Sequence, residues 1–474
     1  MTAPARAALL LGCAALWGCG DAPEPRGTNV FLISLDSASA RYVEPYGADP
    51  GSTPHLARLA EESVVFENAY SQTATTVSSV ASLLSGQRGT THGIDPRTMK
   101  PLSGPTLAER LAAHGYRGYG FIANPMAGLR RLGFHRGFDV YLQIYAHSRG
   151  STRDNPRFVE GSDFKVVYPE DVQAAVDTLI ERFAPTHNFA YLHYLQPHAP
   201  YDPPAAYRGI FAPDTPGQSG PEWESLVREY LASNEAGHAE PELIGLLEAR
   251  YRANLLYADA GVGALLDALR RRGLYDEALI AVTADHGEAF FGHGRFGHND
   301  TLYDDMTRVP LLLKFPARDG IAPARLAQPT ETVDLLPTLL DYLRLPAAPD
   351  AEGESLWPLI SGARTQLERP EVVLSTAWRD LHAIRLGRHK LIVSNAGRSA
   401  LYDLEEDPGE QRDLAASEPE VAAALREKLA ARLGEGFESA SETAPEWELE
   451  PGLRDLLETL GYAEFLPEAE PAAP

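Results

Sequence analysis

From Asn29 to about Tyr342, short apolar runs alternate with amphipathic stretches, and few folds accommodate that rhythm. Asn29–Leu35 reads NVFLISL, and the runs at 116–122, 189–195, 278–283 and 310–315 are similar. Runs this apolar suit strands buried on both faces. Helical patterns lie between them at 54–62, 106–114, 169–183 and 248–272. The alternation predicts an α/β fold: a mostly parallel sheet covered by helices on both faces. Such sheets gather ligands outside the carboxyl ends of their strands. Several polar residues sort that way. Asp36 follows the first run directly, Asp285 and His286 follow the run at 278–283, and His198 lies just beyond the run at 189–195. A parallel sheet puts all four on one edge.

After Gly362 the texture changes. Short β patterns at 371–375, 381–386 and 389–393, the last two joined at Gly387-Arg388 like a hairpin, precede a helical stretch at 418–433. They predict a smaller C-terminal α+β subdomain on a short antiparallel sheet. The expected division is a main domain at 28–362, the subdomain at 363–466, and a Pro/Ala/Glu-rich disordered tail at 467–474.

The two cysteines, Cys13 and Cys19, both sit in the first 19 residues, so the remainder can form no internal disulfide and no thiolate metal site. Arg6, an apolar run from Ala7 to Trp17 and then small residues give the plan of a signal peptide. Leu16-Trp17-Gly18-Cys19 is similar to a bacterial lipobox, with Cys19 the lipidated residue and 20–27 a short tether. The expectation is an exported, lipid-anchored protein of the cell envelope or periplasm, touching membrane only through that anchor. A plain secretory leader is the alternative.

Lys and Arg number 42 against 66 Asp and Glu, a formal net charge of −24. Such a surface repels nucleic acid and anionic lipid at long range. An anionic ester can enter only through a locally positive site, and a metal ion supplies one.

Asp285-His286-Gly287-Glu288 offers a carboxylate and an imidazole to one cation, Asp36 adds a second carboxylate, and Thr76 can bring its hydroxyl to the same ion. A divalent metal there lowers the hydroxyl pKa and neutralises charge developing on a phosphoryl or sulfuryl group. The donor set suits Zn²⁺ or Mn²⁺. Thr76 also stands where a helix begins, and backbone N–H groups at a helix start bind anions. The plainer reading of Thr76 is an N-cap. His198, in the stiff Gln196-Pro197-His198-Ala199-Pro200 loop, is placed to bind an ester oxygen or protonate a leaving group. His193, inside the strand, reads as packed behind the site. His92, after the Thr76 helix, and Asn124, beyond the run at 116–122, are further candidates for substrate binding.

The segment Thr76-Val77-Ser78-Ser79-Val80-Ala81-Ser82-Leu83-Leu84-Ser85-Gly86 resembles the nucleophile segment of the sulfatase family, within the alkaline phosphatase superfamily. Thr53-Pro54-His55-Leu56, Phe66-Glu67-Asn68-Ala69-Tyr70, Asp334-Leu335-Leu336-Pro337-Thr338, Lys390-Leu391 and Leu401-Tyr402-Asp403-Leu404 extend the likeness from Asn29 to about Tyr462. The resemblance implies an alkaline-phosphatase-like fold, with Asp36, Asp285 and His286 as metal ligands. It puts Thr76 at the nucleophile position and makes His198 and His298 substrate-side or acid/base residues. It also admits Ca²⁺, which the family commonly uses. Three departures stand out. Ser37 replaces the second of two consecutive aspartates, Ser78 and Val80 replace a proline and an arginine, and threonine replaces the cysteine or serine that becomes formylglycine.

A formylglycine hydrate releases sulfate by elimination, which threonine cannot do. An adduct on Thr76 must instead be attacked by water or an acceptor. Threonine serves as nucleophile in related phosphotransferases and nucleotide phosphodiesterases. The favoured expectation is therefore a metal-dependent hydrolase or transferase of phosphoesters. Two others stand beside it: a sulfuric ester hydrolase working without formylglycine, and a non-catalytic protein that binds anionic glycans.

Overall fold

A computed structural model of the chain describes residues 25–145, 167–213, 219–233, 240–376, 380–394, 397–437, 453–460, 462 and 466. The leader at 1–19, most of the tether and the tail at 467–474 lie outside the described residues.

Strands β1 (Asn29–Leu35), β2 (Val64–Phe66), β3 (Arg117–Ile122), β4 (Val140–Gln143), β5 (Asn188–Tyr194), β6 (Ala278–Ala284), β7 (Leu311–Lys314) and β8 (Ala324–Leu326) form one sheet. Their order is β8-β2-β7-β6-β1-β5-β3-β4. Every residue of β1, β5 and β6 is buried, as the continuous apolar runs require. All pairs are parallel except those of β7, which runs antiparallel to both β6 and β2. This corrects the grouping of 310–315 with the parallel strands. A parallel return needs a crossover, usually a helix, and the connection from β6 to β7 holds only the four-residue helix Asp304–Thr307.

The register sets up the site. Leu35 pairs with Tyr194 on one side and Ala284 on the other. Asp36 and Asp285 each come one residue later, so they leave adjacent strands side by side, about 4.8 Å apart across the ladder.

Helix α1 (Thr76–Ser85) is buried along its whole length and stops at Gly86, whose φ of 73° is the left-handed conformation glycine adopts cheaply. Helix α2 is Gly220–Ser233. Helix α3 (Pro241–Arg271) starts earlier than the expected 248, with Pro241 in its first turn, where a missing N–H costs nothing. It buries Leu247, Tyr251, Leu255, Ala258, Val262, Leu265 and Leu269, a stripe at helical spacing.

The second sheet is antiparallel, in the order β9 (Glu371–Thr376), β10 (Leu381–Leu386), β11 (His389–Ser394), β12 (Ser399–Asp403). Side chains alternate across it. Val372, Leu374 and Ala383 pack on Tyr70 and Leu302 of the larger unit, while Val373, Ile384, Leu391 and Leu401 pack on Leu425 and Leu429 of helix α4 (Pro419–Leu433). A last helix, α5 (Leu453–Thr459), returns to the main core. Leu453, Leu456, Leu457 and Leu460 are buried there. At about 1.5–3 kcal/mol for each buried leucine, they fasten it firmly. Among the described residues no helix is long and apolar enough to cross a membrane.

Candidate active site

The strand ends deliver their polar residues to one place, as expected. Asp36 is held by its own N–H, which donates to Tyr194 O at 3.1 Å. Ser37 turns sharply away with φ 62°, and its N–H donates to Asp285 Oδ1 at 3.1 Å. The Ser37 hydroxyl donates to Asp36 Oδ1 at 3.2 Å, so the residue that departs from the sulfatase pattern ties the two carboxylates together.

His286 follows Asp285. Its Nδ1 lies 2.9 Å from Gly287 O, and a carbonyl can only accept, so Nδ1 carries the proton. The bare Nε2 then faces Thr76 Oγ1 at 3.1 Å and lies 3.7 Å from Asp36 Oδ1 and from Asp285 Oδ2. Thr76 is the first residue of α1, and Thr75 before it makes no side-chain cap. The N-cap reading of Thr76 therefore fails by one residue. The uncapped amides of the helix start lie next to the Thr76 hydroxyl.

Asn124 comes from the end of β3. Its Oδ1 accepts from Met126 N at 2.7 Å, which turns its amide nitrogen toward Asp36 Oδ2 and toward Tyr462 Oη at 2.7 Å. His198 is pinned through the backbone by Asn254 of α3, which donates to Pro197 O at 3.1 Å and His198 O at 3.2 Å. His198 Nδ1 is spent on Ala199 O at 3.0 Å, leaving Nε2 bare, buried and without a hydrogen bond. His298 packs edge-on against His198, ring centroids 5.0 Å apart, and lies 4.3 Å from the His286 ring. Its Nδ1 is 2.9 Å from Glu288 Oε1. Of Asp36, Thr76, Asn124, His198, Asp285, His286 and His298, none is more than 6% exposed.

His92 is not drawn in. Its Nε2 meets Ser82 Oγ at 3.0 Å, and its Nδ1 accepts from Ile94 N at 3.0 Å. Ser82 lies six residues along α1 from Thr76, about 9 Å at the helical rise. Three residues join the cluster that the strand-end reasoning did not assign to it. His193 brings its Nε2 within 3.5 Å of Asp285 Oδ2. Glu288 backs His298. Tyr462 places its hydroxyl 3.2 Å from Thr76 Oγ1.

The electrostatics favour a cation. Burial and the neighbouring Asp285 push the Asp36 carboxyl well above its ordinary range. Burial also opposes ionisation of Asp285, but His286 and His193 outweigh it and hold that carboxyl down. Two adjacent carboxylates removed from water are costly unless paired. Asp285 Oδ2 and His193 Nε2 are buried without hydrogen bonds, and ligand atoms of Asp36, His193 and Asp285 lie within 4.8 Å of one another. One orphaned carboxylate oxygen beside an imidazole nitrogen without a hydrogen bond suits a divalent metal. Burial lowers the pKa of His198, and burial followed by the charge of His198 holds His298 well below the ordinary value. Burial raises Glu288 to about 7.

A sulfatase family model matches residues 28–345, about two thirds of the chain. The chain belongs to the sulfatase family. A second model, the C-terminal region of N-sulphoglucosamine sulphohydrolase, matches 292–436. An ulvan-active sulfatase of Formosa agariphila is 27% identical over 449 residues, covering 88% of this chain and 83% of that protein. A choline-sulfatase of Rhizobium meliloti is 25% identical, covering 82% of each. The crystal structure of a phosphonate monoester hydrolase of Agrobacterium radiobacter shares the fold, with a TM-score of 0.70 at 23% identity over 86% of this chain and 96% of that one. The protein is thus a sulfatase-family hydrolase of esters, built on the mostly parallel sheet and small antiparallel sheet that the sequence predicts. Where the sulfatase pattern has arginine, Val80 is fully buried in the core and brings no charge to the site.

Proposed function

We propose that this sulfatase-family member cleaves an anionic ester through an unmodified Thr76, with phosphoesters preferred over sulfate esters. The observation that carries the reading is Thr76 Oγ1 beside the bare Nε2 of His286, at the uncapped start of α1 and next to two buried carboxylates. Asp36, Asp285, His286 and Thr76 would hold a divalent ion, with His193 able to join them. The ion would lower the hydroxyl pKa and offset charge on the transferred group. Thr76 gives up its hydroxyl proton to water as its pKa falls, and Oγ1 then forms the new bond to phosphorus or sulfur. The bond to the ester oxygen breaks and leaves its electron pair on that oxygen. His198 and His298, packed edge-on with ring centroids 5.0 Å apart, position the non-bridging oxygens or give the leaving oxygen a proton. An arriving anion raises the pKa of both imidazoles, which burial otherwise keeps neutral. Water or an acceptor hydroxyl then attacks the Thr76 adduct and regenerates the hydroxyl.

Sulfate-ester hydrolysis is the second reading, favoured by the two curated relatives named above. Release from model phosphodiesters, phosphomonoesters and sulfate esters, each with Zn²⁺, Mn²⁺ or Ca²⁺, separates the readings. Sulfate release above phosphate release would sink the preference.

The metal gives a sharper test. Asp285→Asn keeps the shape but removes the charge on which His193 and His286 converge. Bound metal per chain, measured by atomic emission after dialysis, is expected to fall by about tenfold or more, as a lost ligand does when even its supporting groups are worth 10–100-fold. Unchanged metal content would count against the site.

The reading extends to location. The lipobox-like Leu16-Trp17-Gly18-Cys19 supports a mature chain anchored at Cys19, the tether at 20–27 carrying the catalytic unit in the cell envelope. Cys19→Ser is expected to release the protein from the membrane fraction or block processing. A soluble mature form starting elsewhere would favour the plain leader.

A further inference from the structure

Tyr462 is far in sequence from every other residue of the cluster, yet it touches three of them. Its hydroxyl is 3.2 Å from Thr76 Oγ1 and 2.7 Å from Asn124 Nδ2, and its ring stacks on His198 with centroids 5.2 Å apart and planes at 29°. The residue is 2% exposed.

The hydrogen-bond directions are determined. Asn124 Oδ1 accepts from Met126 N, so the amide nitrogen points at Tyr462 and donates. A phenol oxygen that accepts from Asn124 has its own proton free to point elsewhere, and the other polar atom within reach is Thr76 Oγ1. Thr76 in turn can give its proton to the bare Nε2 of His286. The chain therefore runs from Asn124 to Tyr462 to Thr76 to His286, each hydroxyl accepting from one side and donating to the other.

The backbone beneath Tyr462 is fastened. Its N–H donates to Leu457 O at 2.9 Å, and Leu453, Leu456, Leu457 and Leu460 are buried in the main core. Four buried leucines and a closing hydrogen bond fix the backbone that carries Tyr462.

We propose that Tyr462 is a catalytic hydrogen-bond donor of this site, aimed by Asn124 at Thr76 Oγ1 at rest and at a non-bridging oxygen of the group that Thr76 attacks. It gives up no proton. As the Oγ1 bond to phosphorus or sulfur forms and the ester bond breaks, negative charge grows on the non-bridging oxygens, and the phenol donates to one of them. The same hydroxyl faces the oxyanion of the Thr76 adduct during its breakdown. The inference rests on the Thr76 reading for the identity of the reaction, but its binding test does not.

Tyr462→Phe removes the donor and keeps the stacked ring and buried volume. With the full chain, kcat is expected to fall about 100-fold, the scale of losing one oxyanion donor, with KM changing by less than about threefold. Orthovanadate, which presents the same oxygens as a pentacoordinate mimic, is expected to bind at least about tenfold more weakly to Tyr462→Phe by calorimetry. Equal vanadate affinity in the two proteins, nil included, overturns the proposal. So does an unchanged kcat, and so does a Tyr462→Ala variant faster than wild type, which would make the side chain an occluder. If Thr76→Ala stays active while Tyr462→Phe loses vanadate affinity, the nucleophile reading fails and the donor stands.

Discussion

Thr76→Ala is expected to abolish turnover on every ester, a loss on the order of 10⁴-fold or more, the scale of deleting a covalent nucleophile. The hydroxyl it removes faces His286 Nε2 at 3.1 Å and Tyr462 Oη at 3.2 Å, and nothing else in the cluster offers a nucleophilic oxygen at the start of a helix. The variant is expected to fold, because losing the hydroxyl and one methyl leaves the backbone hydrogen bonds of α1 intact. Thr76→Ser, which keeps the hydroxyl, is expected to retain much of the rate. His198→Ala and His298→Ala behave differently if they supply a proton: alkyl esters, with poor leaving groups, lose more than activated aryl esters. Mass spectrometry across 73–88 of protein from the native host checks the premise, since an aldehyde in that peptide restores the ordinary sulfatase mechanism. Full activity in Thr76→Ala removes the covalent route.

The part of this site that was legible in the sequence is the part attached to strand ends. Asp36, Asp285 and His286 each follow a continuous apolar run, and such runs are buried strands whose carboxyl ends share an edge. Asn124 follows β3 in the same way. Strands without such a run went unread. β4 reads VYLQ, only four residues long and half-buried, and β8 is three residues long and largely exposed, so neither gives a long buried run. The direction of β7 was hidden because burial writes the same pattern into parallel and antiparallel strands. His92 looked like a loop residue near the nucleophile, but the helical rise carries it away and Ser82 absorbs it. Glu288 stood in the Asp-His-Gly-Glu run with no sign that it faces His298 ten residues on. Tyr462 had no local signal at all. Only the packing of α5 against the main core brings it to Thr76, and no periodicity in the chain records that long-range contact.

The largest expected effect on stability lies between the two sheets, at Lys390. It sits on β11, fully buried, with Nζ 2.7 Å from Asp304 Oδ1 and 2.9 Å from Glu410 Oε1. Asp304 belongs to the larger unit, where Tyr70 Oη donates to its Oδ2 at 2.9 Å and its backbone N–H donates to Glu410 Oε2 at 2.6 Å. One ammonium thus binds two carboxylates across the seam. Burial opposes the charge on Lys390, but Asp304 and Glu410 outweigh it and raise its pKa. Removing the ammonium leaves Asp304 to Arg385 and Arg308 and strips Glu410, whose carboxyl burial already pushes up to about 8, of its counter-charge; breaking a buried pair this way costs about 3–5 kcal/mol. Lys390→Ala is expected to lower unfolding free energy by that amount in urea, and to open the seam to protease before the main sheet unfolds. Lys390→Met, which refills the volume but not the charge, is expected to recover little. Adding Asp304→Asn and Glu410→Gln to Lys390→Met is expected to recover most of the loss, because the penalty lies in the stranded charges. A Lys390→Ala cost below about 1 kcal/mol, the range of an exposed ion pair, would mean that water reaches the seam and that apolar packing of Val372, Leu374 and Ala383 on Tyr70 and Leu302 holds the sheets together alone.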